Sequence, residues 1–144
     1  MQAKYSVIDL SKYIVTKCTK EGHPITNLQL QKILYHIQKA FLDRNELAFG
    51  ETIEAWRFGP VVPESYYLFC GFGSMPLDLI YDDAISLDPT DEYETNNIID
   101  IKRSLDPWEL VEETHRPGGA WDEIFNSGMG NHTEIPTTLI KEVG

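Results

Sequence analysis

The sequence has 144 residues, of which 42% are hydrophobic and 11% aromatic, so it can bury the core of one domain and is not a disordered chain. Its formal net charge of −11 disfavours direct binding to nucleic-acid phosphates and favours a basic partner. Cys18 and Cys70 form neither a disulfide scaffold nor a metal-binding spacing. No signal peptide and no apolar run of about 18 residues is present, so we expect a cytoplasmic protein that does not span a membrane.

The first part of the chain predicts two helices joined by a short turn. Ser6 is a good N-cap for a helix that ends near Lys20. Thr26 and Gln29 have the spacing of a capping box, so a second helix should begin near Asn27. Its apolar residues recur at helical intervals and form one stripe: Leu30, Ile33, Leu34, Ile37 and Phe41. Its polar residues are expected on the other faces: Gln31, Lys32, Gln38 and Lys39.

The segment after the second helix predicts a small β element near residues 47–58. An apolar patch is followed by an alternating pattern from Thr52 to Phe58, and a Gly-Pro pair ends the pattern. Pro63 suits the first position of a third helix, which should run to about Cys70.

The second half of the chain predicts shorter elements. Residues 77–91 are acidic and contain Pro89, so we expect a surface loop. Helical spacing covers Asn96–Leu105, an Asp-Pro pair then starts a helix over residues 108–115, and one or two helical turns cover residues 121–125. A last short helix follows Ile135-Pro136. We therefore predict a mainly α fold over residues 1–144, a single compact helical domain of about five to six helices with the small β element.

Trp56 and Arg57 form a candidate binding anchor, because exposed aromatic and arginine side chains are enriched at interaction hot spots. The alternative is structural. Trp56 and Phe58 would then fill the core, and Arg57 would cap a helix or pair with a carboxylate such as Glu54 or Glu64.

Tyr67 is the second candidate for partner binding. At helical spacing Tyr66 pairs with Phe69, which leaves Tyr67 pointing elsewhere and makes it the better surface candidate. Asp82 and Asp83 are the third candidate. They belong to an acidic segment, residues 78–94, that either mimics a nucleic-acid backbone toward a basic partner or is a solvated loop and helix start.

The sequence contains one arrangement that an enzyme could use, Glu112 with His115. The carboxylate suits a helix dipole and the histidine suits a helix end, so we interpret both as structural and expect no catalytic site. The other histidines make no metal-like spacing with His115, and we expect neither a metal nor a cofactor.

Four blocks of the sequence resemble the Panacea antitoxin domain, a family that includes SocA-like antitoxins and many phage-associated proteins. The similarity covers Thr26–Tyr35, with its Thr-Asn-Leu-x-Leu-Gln-Lys pattern, and Glu54–Pro63, with Glu-Ala-Trp and Gly-Pro-Val-Val-Pro. It continues in Thr114–Trp121 and Ile135–Lys141. The resemblance spans nearly the whole chain.

This resemblance implies an antitoxin that neutralises a cognate protein toxin by direct binding and, in SocA-like members, delivers the toxin to a ClpXP-type protease. It requires no catalysis by the antitoxin. We expect the toxin on the surface formed by Trp56, Arg57, Tyr67, Asp82 and Asp83. The alternative is a phage or mobile-element inhibitor that uses its acidic surface, in an anti-CRISPR-like manner, against a basic effector such as a host defence nuclease.

Overall fold

Seven helices and one three-stranded antiparallel sheet form the structure, a computed structural model that describes residues 1–144. The helices are α1 Val7–Lys20, α2 Asn27–Asp43, α3 Pro63–Phe69, α4 Pro89–Arg103, α5 Pro107–Thr114, α6 Ala120–Phe125 and α7 Thr137–Val143. The strands are β1 Glu54–Trp56, β2 Gly59–Val61 and β3 Thr133–Glu134, in the order β2-β1-β3. The mainly α prediction is confirmed. The helix number is slightly higher than the expected five to six, since the one or two turns predicted over residues 121–125 form a helix of their own.

Helix α2 lies at the centre of the fold. Its predicted capping box is present, because the Thr26 hydroxyl accepts a hydrogen bond from the Gln29 amide and the Gln29 side chain accepts one from the Thr26 amide. Helices α1, α3, α4, α5 and α7 and strand β2 all contact α2. The apolar stripe of α2 is fully buried in the single core: Leu30, Ile33, Leu34, Ile37 and Phe41.

Three of the four polar residues that we placed on the other faces of α2 are also buried. Gln31, Lys32 and Gln38 are buried, because neighbouring elements cover α2 on nearly every side. The Gln38 amide group bonds to the backbone of Ala48 and Phe49, which satisfies buried polar groups that would otherwise destabilise the core. Helical periodicity alone does not reveal that neighbouring elements also cover the polar side of α2.

The sheet extends beyond the predicted segment 47–58. Strands β1 and β2 form a hairpin in which Trp56 pairs with Gly59, so only Arg57 and Phe58 lie in its loop. On the other side of β1, Glu54 pairs with Glu134 of β3. A strand contributed from so far along the chain leaves no local pattern near residue 54.

The surface loop that we predicted over residues 77–91 is irregular and exposed or half-buried at most positions up to Asp88, but a few of its residues anchor it to the helices. Leu77 is fully buried and its amide donates to the Ile25 carbonyl at 2.7 Å, while the Tyr81 amide donates to the Thr16 hydroxyl at 3.0 Å. Leu87 is also buried. Apolar side chains scattered among the carboxylates therefore hold this irregular segment against the helices.

Helix α4 begins at Pro89 rather than near Asn96, because proline suits its first position.

Asp91 at the start of α4 joins distant parts of the chain. Its carboxylate is 1% exposed and accepts hydrogen bonds from Tyr5 at 2.7 Å and Arg44 at 2.9 Å, with Lys4 at 2.8 Å. Burial opposes ionisation, but these three donors hold the pKa of Asp91 below its usual value.

None of the helices combines the length and the apolar character needed to cross a membrane.

Candidate functional site: an aromatic cleft

A cleft of about 520 Å³ opens between the first turns of α2, the β1–β2 hairpin, α3 and the start of α5. Aromatic side chains supply much of its lining, and we call it the aromatic cleft: Trp56, Phe58, Tyr66, Trp108 and His132. Concave sites with mostly apolar walls and a few polar groups are the usual ligand and partner sites of proteins. This cleft is therefore the candidate functional site.

Trp56 forms one side of the cleft. Its ring stacks on His132 with centroids 4.3 Å apart and meets the edge of Tyr66 at 5.0 Å. The indole N–H donates to the Glu54 carboxylate at 2.9 Å. Strand β1 thus holds Trp56 half-buried, so that one part of the ring supports the fold and the other part lines the cleft.

Phe58 and Trp108 lie at the rim of the cleft. Phe58 is 46% exposed and Trp108 is 59% exposed, and the two rings meet edge to face at 5.6 Å. Phe58 does not fill the core, so that part of the structural alternative is wrong. The hairpin loop contains only two residues, which directs Phe58 outward. Sequence periodicity did not single out Trp108, because its neighbours across the cleft come from the distant hairpin.

Arg57 is exposed beside the cleft, and its guanidinium lies 5.3 Å from the centre of the Phe58 ring. It pairs with neither of the expected carboxylates, since Glu54 bonds to Trp56 instead and Glu64 lies in a different surface depression. Arg57 therefore remains available to an incoming partner.

Lys32 lines the inner end of the cleft and was missed as a site residue by the sequence reasoning. Its side chain is fully buried, and its one hydrogen bond goes from Nζ to the Pro60 carbonyl at 3.0 Å. Burial lowers the pKa of Lys32 to about 7. The sequence gives only a weak signal for this residue, a lysine on the polar side of an amphipathic helix. An exposed lysine would produce the same sequence pattern.

The charge of the cleft is opposite to that of the molecule. The chain contains 23 acidic residues, yet none of the residues that line the cleft is Asp or Glu. Two cationic side chains are present there, Lys32 and Arg57. The cleft therefore offers an apolar, cationic environment on an acidic protein.

The structure brings together three of the five predicted site residues. Tyr67 is 60% exposed, and its ring centre lies 6.0 Å from that of Trp56, which precedes Arg57 in the chain, although Tyr67 itself does not line the cleft. Asp82 and Asp83 lie elsewhere, on the acidic segment, where Asp83 pairs with Lys12 at 3.2 Å. Neither aspartate lines the cleft.

Glu112 and His115 do not form an acid–base pair. The His115 ring stacks on Trp121 at 3.7 Å, its Nε2 is buried without a hydrogen-bond partner, and Glu112 is exposed. Burial, with a smaller contribution from Lys32, lowers the pKa of His115. Elsewhere in the structure, no group of three or more His, Cys, Asp or Glu side chains is arranged to hold a metal ion.

Comparison with known proteins places these observations in a family. The family model described as antitoxin SocA-like, Panacea domain, matches residues 30–122, which contain most of the cleft. The chain is also 31% identical over 148 residues to the antitoxin SocA of Caulobacter vibrioides (strain NA1000 / CB15N), a match that covers 92% of this chain and 79% of that protein. No solved structure matches. The chain therefore belongs to the SocA-like antitoxin family and carries its Panacea domain.

Proposed function

We propose that this protein is an antitoxin that neutralises a cognate protein toxin by binding it at the aromatic cleft. The toxin contacts the exposed side chains around the opening, namely Arg57, Phe58, Tyr67 and Trp108. The observation that carries the proposal is the cluster of exposed aromatic rings at this cleft, in a chain of an antitoxin family. Catalysis by the antitoxin is not part of the mechanism.

Exposed apolar area around the cleft favours the binding of a partner. Phe58, Tyr67 and Trp108 are each about half exposed or more; Phe58 meets Trp108, and Tyr67 meets Trp56. Exposed apolar side chains grouped in this way mark an interaction site. Aromatic and arginine side chains contribute most of the binding free energy at many interfaces. A toxin that covers these rings gains both apolar burial and contacts to Arg57.

Delivery of the toxin to a ClpXP-type protease is the second part of the proposal. An adaptor must hold its client and the protease at separate surfaces. The acidic segment lies outside the cleft and leaves Asp82 and Asp83 exposed. We assign this surface to the protease contact and the cleft to the toxin.

The test is co-expression with the toxin in cells, together with affinity measurement on the purified pair. Phe58→Ala and Trp108→Ala should each weaken toxin binding by about tenfold or more and reduce protection. Ile101→Ala is the control, because this side chain is 62% exposed on α4, outside both the cleft and the acidic segment, and its loss should change neither result. Full protection by the folded double variant would contradict the cleft assignment.

Tyr67→Ala and Asp82→Lys separate the two surfaces. We expect Tyr67→Ala to weaken toxin binding, and Asp82→Lys to leave binding intact but slow degradation of the toxin by the protease. A loss of toxin binding in Asp82→Lys would instead place the toxin on the acidic segment.

The exposed carboxylates favour one alternative function, inhibition of a basic effector such as a host defence nuclease by a phage or mobile-element protein. Asp78, Asp82, Asp83 and Asp88 are all exposed in a chain of net charge −11. An affinity pull-down at low and high salt distinguishes the two functions. A small growth-inhibiting protein retained at high salt supports the antitoxin, whereas a nuclease released by salt supports the alternative.

A further inference from the structure

The Lys32 amine has fewer partners than a buried ammonium group requires. An ammonium group carries three hydrogens, and in this structure one of them has an acceptor, the Pro60 carbonyl. Burying a lysine without an opposite charge is unfavourable. The fully buried side chain nevertheless lines a cleft, where an incoming group can supply that charge.

Three independent features of the cleft select the chemistry of that group. The aromatic rings of Trp56, Phe58 and Trp108 suit an aromatic or other apolar body. The absence of any carboxylate in the lining removes repulsion toward an anion, although the molecule as a whole is acidic. Lys32 at the inner end and Arg57 at the rim provide the two positive charges, and Arg57 has no carboxylate partner of its own among Glu54 and Glu64.

We propose that the aromatic cleft receives an acidic anchor from the bound protein, an apolar or aromatic side chain next to a carboxylate, and that Lys32 pairs with this carboxylate. The inference rests on the proposed function, since it names the part of the toxin that enters the cleft. The anchor's apolar body contacts the aromatic lining. Its carboxylate accepts hydrogen bonds from the Lys32 amine, with Arg57 as a second cation near the opening.

Gly59 contributes to this arrangement. Its φ is +112°, and a Cβ there would lie 3.0 Å from the Lys32 Nζ and 2.8 Å from its Cε. Glycine at this position therefore leaves the lysine the space it occupies. The Pro60 carbonyl beside it holds the amine until a stronger acceptor arrives.

The first test uses the whole chain and two small probes without any toxin. Indole-3-acetate carries an aromatic body and a carboxylate, and indole-3-acetamide is its neutral counterpart. Backbone amide NMR titrations at pH 6.5 should show shifts at Trp56, Gly59 and Trp108, with the acetate bound at least about fivefold more tightly than the amide. Equal binding of the two probes, or binding of neither, overturns the proposal.

Variants then identify the cation. Lys32→Met should remove the preference for the acetate but keep weak binding of the amide, while Lys39→Met is the control on the same helix, where Lys39 pairs with Asp43 outside the cleft. Arg57→Met is a second, exposed variant that does not depend on core packing, and it should reduce the preference in part. A preference for the acetate that persists in Lys32→Met overturns the proposal, whatever the result for Arg57→Met.

Competition with the toxin separates this inference from the proposed function. Excess indole-3-acetate, but not the amide, should slow formation of the toxin complex. If the toxin binds through Phe58 and Trp108 but excess acetate does not slow complex formation, the antitoxin function is supported and the acidic anchor is overturned. An acetate-selective cleft that the toxin does not cover overturns the assignment of the anchor to the toxin.

Discussion

Lys32 lies in the hydrophobic interior although lysine is normally found at the surface, and this position makes folding depend on pH. The pKa of its amine is about 7 in the folded protein, against 10.5 as the ordinary value. Between those pH values the unfolded chain binds more protons than the folded one. Stability from this residue therefore rises with pH in that range.

We predict that the free energy of unfolding of the wild type, relative to Lys32→Met, increases between pH 7 and pH 9. The steepest change is about 1.4 kcal/mol per pH unit, because one proton is released on folding. Urea unfolding at several pH values measures this difference. His36 and His115 also respond to Lys32, but burial lowers the pKa of both, so they titrate below this range.

The same experiment on Lys39→Met provides the control. Lys39 is partly exposed and pairs with Asp43, so its difference from the wild type should stay constant from pH 7 to pH 9. A constant difference for Lys32→Met as well would show that the amine keeps an ordinary pKa.

The β1–β2 hairpin is the element that positions most of the cleft, and Gly59 is where it meets α2. A Cβ at this position would lie 2.8 Å from both Lys32 Cε and Thr114 Oγ1, and φ is +112°. We predict that Gly59→Ala lowers the free energy of unfolding by about 2–3 kcal/mol or more, from backbone strain and overpacking. Denaturant unfolding measures the loss.

Gly71→Ala is the matched variant, since no atom lies within 4 Å of the position that its added methyl group would take and its φ is not positive. Its effect should stay within about 0.5 kcal/mol. Equal effects of the two substitutions would mean that the hairpin adapts to a side chain at residue 59.

Helix ends were predictable because their chemistry is local. Thr26 and Gln29 form the expected capping box, and the Asp106 carboxylate accepts a hydrogen bond from the Trp108 amide as the Asp-Pro pair indicated. The pairing of β1 with β3 was not predictable, because Glu134 is distant in sequence from Glu54. The buried contacts of the predicted loop over residues 77–91 were missed for the same reason, since the Leu77 amide bonds to the distant Ile25 carbonyl.

Over the whole molecule, Asp91 links the N-terminus, the end of α2 and the start of α4. We predict that Asp91→Asn lowers the free energy of unfolding by about 2–4 kcal/mol, because Lys4 and Arg44 then lose the buried charge that they share. A single cooperative transition should remain, as expected of one domain. Chemical denaturation followed by circular dichroism and by tryptophan fluorescence tests both points.

Asp88→Asn is the control for that substitution. Asp88 is 71% exposed and lies 3.7 Å from Lys4, so screening by water should keep its effect within about 0.5 kcal/mol. If Asp91→Asn were as mild as this control, the cluster would not hold the chain together. Two separate transitions would instead show that the parts it joins unfold independently.

The mainly helical fold, the helix caps, the acidic character and the resemblance to the antitoxin family could all be inferred from the sequence, because periodicity, capping and motif spacing are properties of neighbouring residues. The burial of Lys32 and the meeting of Phe58 with Trp108 at one cleft became visible in the folded structure. The folded structure also separates Asp82 and Asp83 from Trp56. These facts depend on contacts between α2, α5 and the hairpin, and burial by distant segments leaves no local pattern.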